Sequence, residues 1–235
     1  MKSNIPNGTF SQQKYSPWFV VVAAVFVTCL ITANITAVKL VSLFNLVIPA
    51  AVIIFPLSYI FGDILTEVYG YRQARKVIWL GFICNLIAVV AIWIGQLLPP
   101  ASFWDGQASY ERILGYTPRL LVASFVAYLI GEFANSFVLA KMKIYTQGRW
   151  LWMRTIGSTV IGQGLDSLVF ITIAFIGTIP TSGLVTAIIT QWGVKALYET
   201  LVTPITYMVV AFLKRREQVD VFDTGINFNP LYFAD

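Results

Sequence analysis

The chain has 235 residues, 57% apolar and 11% charged, with a mean hydropathy of +0.75 and a formal net charge of +5. Soluble domains carry roughly a quarter charged residues, so this composition excludes a water-soluble enzyme or binding module and points to an integral membrane protein. The sequence has no histidine, which removes the side chain most used for zinc, haem and proton switching.

In chain order, residues 1–16 are polar, contain Pro6 and Gly8, and read as a flexible cytoplasmic tail. Six apolar runs follow, about Pro17 to Val38, Leu46 to Leu65, Val77 to Leu98, Leu120 to Ala140, Thr155 to Ile176 and Leu184 to Leu213. At ~1.5 Å per residue each can cross a ~30 Å hydrocarbon core as a helix, the last with tilt or a kink. The ten-residue alternation of a membrane β-barrel is absent. The expected fold is therefore all-α, one polytopic domain over residues 17–216 with six transmembrane helices. Five further spans make the first a retained helix and not a cleaved signal. Pro56 and Pro204 are expected to kink the second and sixth spans. The connection from Pro99 to Pro118 reads as a surface loop with Trp104, Tyr110 and Tyr116 at the interface. Cys29 and Cys84 fall inside spans and read as packing thiols. Residues 217–235 form a second tail, whose Phe228, Pro230, Tyr232 and Phe233 are expected at the inner headgroup surface.

Basic residues orient this plan. Arg72 and Arg75, Lys143 and Arg154, and Lys214 to Arg216 all fall on the side of both tails, while Lys39, Arg112 and Arg119 fall opposite. The positive-inside rule then puts both termini in the cytoplasm. That asymmetry and attraction to anionic lipid explain the +5 charge, so no nucleic-acid partner is implied.

Polar residues inside the spans recur at helical spacing. Tyr59, Asp63 and Glu67 mark the second span; Tyr128, Glu132, Asn135 and Ser136 the fourth; Thr159, Gln163, Asp166 and Phe170 the fifth; Gln191, Lys195 and Glu199 the sixth. The first adds Asn34. Lipid cannot satisfy such stripes, so they face one another or water. Glu132 lies ~13 Å before Lys141, Asp166 ~18 Å after Arg154 and Glu199 ~22 Å before Lys214, so these carboxylates can meet near the midplane. Asp63 and Glu67 lie nearer the cytoplasm. Simpler roles compete: Lys195 and Glu199 are spaced for an intrahelical ion pair, and Glu67 can pair with Arg72 or Arg75. A charge at bilayer depth costs roughly 3 kcal/mol, which a chain without membrane chemistry would avoid. A polytopic transporter with a net acidic internal pocket follows.

Four stretches in order, FPLSYIFGDILTEVYGYRQARK (Phe55 to Lys76), GEFANSFVLAKMK (Gly131 to Lys143), RTIGSTVIGQGLDSLVF (Arg154 to Phe170) and FDTGINFNP (Phe222 to Pro230), resemble the queuosine precursor transporter family, also described as vitamin uptake transporters. The resemblance implies a multi-pass protein of the bacterial inner membrane that imports 7-deazaguanines such as preQ0 and preQ1, or queuine, and is neither an enzyme nor dependent on a cofactor. A guanine-like edge offers two adjacent N–H donors that one carboxylate accepts in bidentate fashion, a role for Glu132 or Asp166. Asn135, Gln163, Asn34 and Lys195 then suit its acceptors, and Phe55, Tyr59, Phe170 or Trp192 can stack on the ring. Asp63, Glu67 and Glu199 complete the candidate substrate contacts, a second acid suiting the preQ1 ammonium. Alternating access around this pocket is the expected mechanism, with Glu132, Asp166 or Glu199 as possible carriers of a coupling proton. The sequence has no P-loop. Competing readings are a substrate-binding membrane subunit of an ATP-powered vitamin importer, a membrane enzyme using the carboxylates, and an assembly protein; a homo-oligomer is left open.

Overall fold

The computed structural model describes residues 16–43, 46–115 and 118–232. The expected amino-terminal tail up to residue 15, Tyr116 and Phe233 lie outside the described residues. The elements are α1 (Pro17–Thr36), a hairpin of β1 (Leu40–Leu43) and β2 (Leu46–Pro49), a single 3₁₀ turn (Ala50–Ile53), α2 (Phe55–Tyr69), α3 (Tyr71–Leu97), α4 (Gln107–Leu114), α5 (Pro118–Tyr145), α6 (Leu151–Phe175) and α7 (Thr181–Glu217). By length and composition, five helices among the described residues can cross a membrane: α1, α3, α5, α6 and α7. Leu80, Ile83, Ile87, Trp93 and Ile94 of α3 are exposed, as a face turned to lipid requires.

The second expected span is not a continuous helix. Its first half is an antiparallel pair, Leu40 opposite Pro49 and Leu43 opposite Leu46, followed by the 3₁₀ turn. Apart from this hairpin the described residues are all-α, as expected. Only the 15 residues of α2 are helical, about 22 Å of rise, short of a full crossing. Pro56, expected to kink this span from within, instead occupies its first turn, where the missing N–H has no partner to lose. α2 itself sits inside the protein, packed against α1, α3, α5 and α7, with almost every residue from Ser58 to Tyr69 buried. Pro204 does lie inside α7.

Ser16, which caps α1, donates to Glu217 at the end of α7, so those two ends are neighbours. Residues 99–115 are more than a plain loop: α4 leans on α3, where the Tyr110 hydroxyl donates to Ile92 O at 3.1 Å. Cys29 and Cys84 are free, half-buried thiols.

The tightest helix pair is α5 with α6. A methyl group on Gly162 would lie 2.6 Å from Asn135 Cβ and 2.9 Å from Gly131 O, so the backbones touch where Asn135 and Gln163 enter the interior. Gly162→Ala is expected to lower the unfolding free energy by about 1–3 kcal/mol, the usual cost of overpacking. Thermal unfolding in detergent measures it, and an unshifted melting curve would mean that the helices are free to part.

Candidate functional site

Four helices, α2, α5, α6 and α7, deliver polar side chains to one buried cluster. Tyr59, Asp63, Glu132, Asn135 and Gln163 have no exposed surface, and Asp166 and Glu199 have 4% and 2%. The α2 and α5 stripes join directly: Asn135 Nδ2 donates to Asp63 Oδ1 at 2.7 Å. Glu132 lies against the bare backbone of Gly62, where a methyl group would come within 3.1 Å of Oε2. The α6 and α7 stripes join through a salt bridge between Lys195 Nζ and Asp166 Oδ2. Lys195 also lies 4.4 Å from the centre of the Phe55 ring, which is 5.7 Å from that of Tyr59, a cation over an aromatic face.

Many of these groups lack partners. Among the described residues, both oxygens of Glu132, both amide atoms of Gln163, Asp63 Oδ2, Asn135 Oδ1, Glu199 Oε2 and the Tyr59 hydroxyl make no hydrogen bond within the protein. Ser136, Thr159, Ser167 and Thr206 add four hydroxyls in the same condition. A native interior leaves only a few polar groups unsatisfied per hundred residues, and here they concentrate in one cluster. Ser167 and Thr206 were absent from the candidate stripes, although Ser167 is one turn beyond Gln163 and Thr206 two turns beyond Glu199. The i+4 and i+7 spacing alone reaches them.

Other candidates fall elsewhere. Asn34 Nδ2 donates to Asn85 Oδ1 at 3.1 Å, and Asn34 Oδ1 accepts from Ser124 at 3.4 Å, a separate contact among α1, α3 and α5. Trp192 Nε1 donates to Val160 O at 2.9 Å with more than a third of the side chain exposed, so it seals α7 onto α6. Phe170 is half-buried and packs edge-on against Phe175 at 6.4 Å. The Lys195–Glu199 intrahelical pair is replaced by the pair with Asp166. On one helix both partners need particular rotamers, whereas α6 brings its carboxylate straight to the ammonium.

A family model described as "Putative vitamin uptake transporter" matches residues 49–209, more than half of the chain. The chain belongs to the vitamin uptake transporter family. A Bacillus subtilis relative named "Probable queuosine precursor transporter" is 30% identical over 190 residues, covering 80% of this chain and 82% of its own. A Haemophilus influenzae protein of the same name is 26% identical over 145 residues, 62% of this chain and 59% of that one. The Escherichia coli "Queuosine precursor transporter" is 28% identical over 121 residues, 52% of each. No solved structure matches. With five candidate spans and bacterial transporters as relatives, this family member is a multi-pass protein of the bacterial inner membrane.

The transporter carries a second polar centre one turn along α2. Glu67, fully buried, accepts from Arg154 Nη2 at 2.7 Å, Arg154 Nε at 3.2 Å and Lys214 Nζ at 2.6 Å, with Lys143 Nζ at 3.8 Å. The expected partners Arg72 and Arg75 are not the ones it uses. They begin α3, across the turn at Gly70, whereas α5, α6 and α7 all end or start beside Glu67. Lys143 spends its three donors on Glu67 O, Asp220 Oδ1 and Val221 O, at 2.5, 2.6 and 2.7 Å.

Those last contacts belong to the carboxyl-terminal tail, which docks on the ends of the helices. Asp223 Oδ2 accepts from the Tyr71 N–H at 2.8 Å; Arg75 Nη1 donates to the carbonyls of Asn227 and Asn229; Trp79 Nε1 donates to that of Pro230. The approach requires Gly70, at φ +83°, where a methyl group would meet Val221 Cγ1 at 2.7 Å. Burial pushes the Asp223 carboxyl above its usual range despite the Tyr71 and Arg72 N–H groups. At Asp220 burial acts the same way, but Lys143 and Lys214 outweigh it and hold the carboxyl below that range.

Proposed function

We propose that this transporter imports queuosine precursors, 7-deazaguanines such as preQ0 and preQ1 or queuine, across the inner membrane by alternating access. The observation that carries the reading is Glu132: a fully buried carboxyl whose two oxygens have no partner among the described residues. A pair of acceptors side by side suits the N–H and exocyclic amine of a guanine-like edge. Gln163 and Asn135, with buried amide atoms also unpartnered, suit the ring nitrogens and carbonyl. Phe55 and Tyr59 suit the flat ring. The names printed for the relatives supply the substrate class that composition and geometry do not.

Asn34 and Glu67 are left out of this pocket because each already has protein partners. Asp166 and Lys195 bound it as an ion pair that opens when α7 moves about Pro204, a position where the helix lacks a backbone hydrogen bond. The alternative of a binding subunit for an ATP-powered importer draws no support from the relatives' names.

The test uses a host unable to make queuosine precursors. Expression should restore queuosine in tRNA at low external preQ0 or preQ1. Asp166→Asn, which leaves Lys195 without its anion, should cut restoration at least tenfold, as losing about 1.4 kcal/mol would. Full restoration by the empty vector, or none by the wild-type chain at normal membrane levels, would sink the proposal.

A further inference from the structure

The tail that carries the FDTGINFNP stretch takes no part in the pocket, yet it fastens four helices together. α7 ends at Glu217, and Gln218, at φ +55°, turns the chain back across the helix ends. There Val221 N donates to Val68 O at 3.3 Å, in the last turn of α2. Lys143 of α5 and Lys214 of α7 donate to Asp220 Oδ1 at 2.6 and 2.8 Å. Asp223 caps the start of α3, and further along that helix Arg75 and Trp79 hold carbonyls of the tail. Phe228 sits between α3 and α5, its ring centre 5.1 Å from that of Tyr71 and 5.4 Å from that of Phe137. The end of α7 is thereby tied to α2, α3 and α5 by a segment continuous with α7 itself.

The two halves of this tie differ. On α3 it is anchored, with Asp223 buried and Phe228 packed against the apolar core. At Asp220 the side chain is 46% exposed, so water can take over its hydrogen bonds. Its departure would not strand the two ammonium groups, because Glu67 Oε1 lies 2.6 Å from Lys214 Nζ and 3.8 Å from Lys143 Nζ. An unpaired buried cation is strongly destabilising; here both cations pass from one carboxylate to the other. Asp220 can therefore leave and return reversibly. It stands one cation away from Glu67, which is one turn of α2 from Asp63 and the unpartnered cluster. This end of the bundle carries Arg75, Lys143, Arg154 and Lys214, and the positive-inside rule makes it cytoplasmic.

We propose that residues 218–222 are a latch on the cytoplasmic mouth of the pocket, closed by Asp220 on Lys143 and Lys214, and that solute leaves inward only when this latch lifts while residues 223–230 stay anchored on α3. Lifting hands both lysines to Glu67 and frees the end of α7 from α2 and α5. α7 can then swing about Pro204 and open the path past Glu67. The part the latch plays in solute release rests on the transport reading above, whereas the latch itself can be tested with no substrate present.

In the full chain carrying Cys29→Ser and Cys84→Ser, Ser136→Cys puts a lone thiol on α5, between Glu132 and Lys143, at a position without exposed surface when the latch is closed. Its labelling by a membrane-impermeant maleimide is followed in inside-out vesicles. Asp220→Asn should raise the rate about tenfold, the factor that roughly 1.4 kcal/mol of a charge-assisted hydrogen bond supplies. Asp220→Lys, which repels Lys143 and Lys214, should raise it further, and Asp220→Glu should stay near the parent. In right-side-out vesicles none of the three should raise it. Rates unchanged in both Asp220→Asn and Asp220→Lys overturn the latch, and so does an equal rise from both faces, the mark of a loosened fold. Truncation after Glu217 is the poorer test, since it also removes the Asp223 cap and takes Phe228 from the core. In proteoliposomes Asp220→Lys, its mouth held open inward, should take up preQ1 at least threefold more slowly than the parent; uptake as fast or faster overturns the role in release. A chain whose labelling responds as expected but which moves no 7-deazaguanine refutes the substrate reading and leaves the latch in place.

Discussion

Replacing Glu67 with alanine is expected to destabilise the folded transporter by about 3–5 kcal/mol, the cost of removing one partner from a buried ionic group. The carboxylate is the common anion of Arg154, Lys214 and Lys143, which arrive from α6, α7 and α5. Without it Lys143 and Lys214 keep Asp220. Arg154 keeps only Thr146 Oγ1 and the Arg149 carbonyl, with 1% of its surface exposed and no anion. A stranded guanidinium cannot shed its proton, so the bundle must admit water or open. Glu67→Gln, which retains the volume and one acceptor, should fall between alanine and wild type. Lys214→Met should cost far less, because that side chain is 22% exposed and Arg154 keeps its carboxylate. Monodispersity after heating in detergent ranks the variants. If Glu67→Ala melts with the wild type and loses only uptake, Glu67 is a transport residue and the ionic reading is wrong.

The contrast between Glu67 and Glu132 shows what the sequence could and could not reveal. Both are acids on polar stripes, and helical spacing placed both facing inward. Spacing reports a side chain's direction within its own helix; the partner comes from how helices are stacked. Glu67 therefore met Arg154, eighty-seven residues away, and not the nearby Arg72 or Arg75. Lys195 met Asp166 across a helix boundary for the same reason. The second span failed differently. Hydropathy counts apolar side chains and ignores the backbone, yet Pro49 and Pro56 bracket a Val- and Ile-rich segment in which β-branching and missing N–H groups disfavour a helix. That signal was present and was outweighed by apolarity. The tail carries almost no such signal: Arg75, Tyr71 and Trp79 bind its carbonyls, groups that every residue possesses.

Glu132→Gln should leave the transporter folded, at least as stable as the wild type, and about 100-fold slower in taking up a 7-deazaguanine. Stability should not suffer because neither oxygen of Glu132 has a protein partner to lose, and a neutral amide of the same size avoids a buried acid's cost. Uptake should suffer because an amide offers one acceptor and one donor where the guanine-like edge presents two donors. One hydrogen bond to a charged group is lost and two donors are opposed, roughly 3 kcal/mol together, or about two orders of magnitude. Sites that strain stability to serve function behave in this way, whereas structural ion pairs lose both together. Glu132→Asp, which draws the carboxylate back from Gly62, should retain more uptake than the amide. Initial rates in proteoliposomes read beside melting temperatures make the split visible. A Glu132→Gln protein that transports within a few-fold of wild type, or that unfolds as Glu67→Ala does, would remove Glu132 from the substrate edge and return it to the packing of α5 against α2.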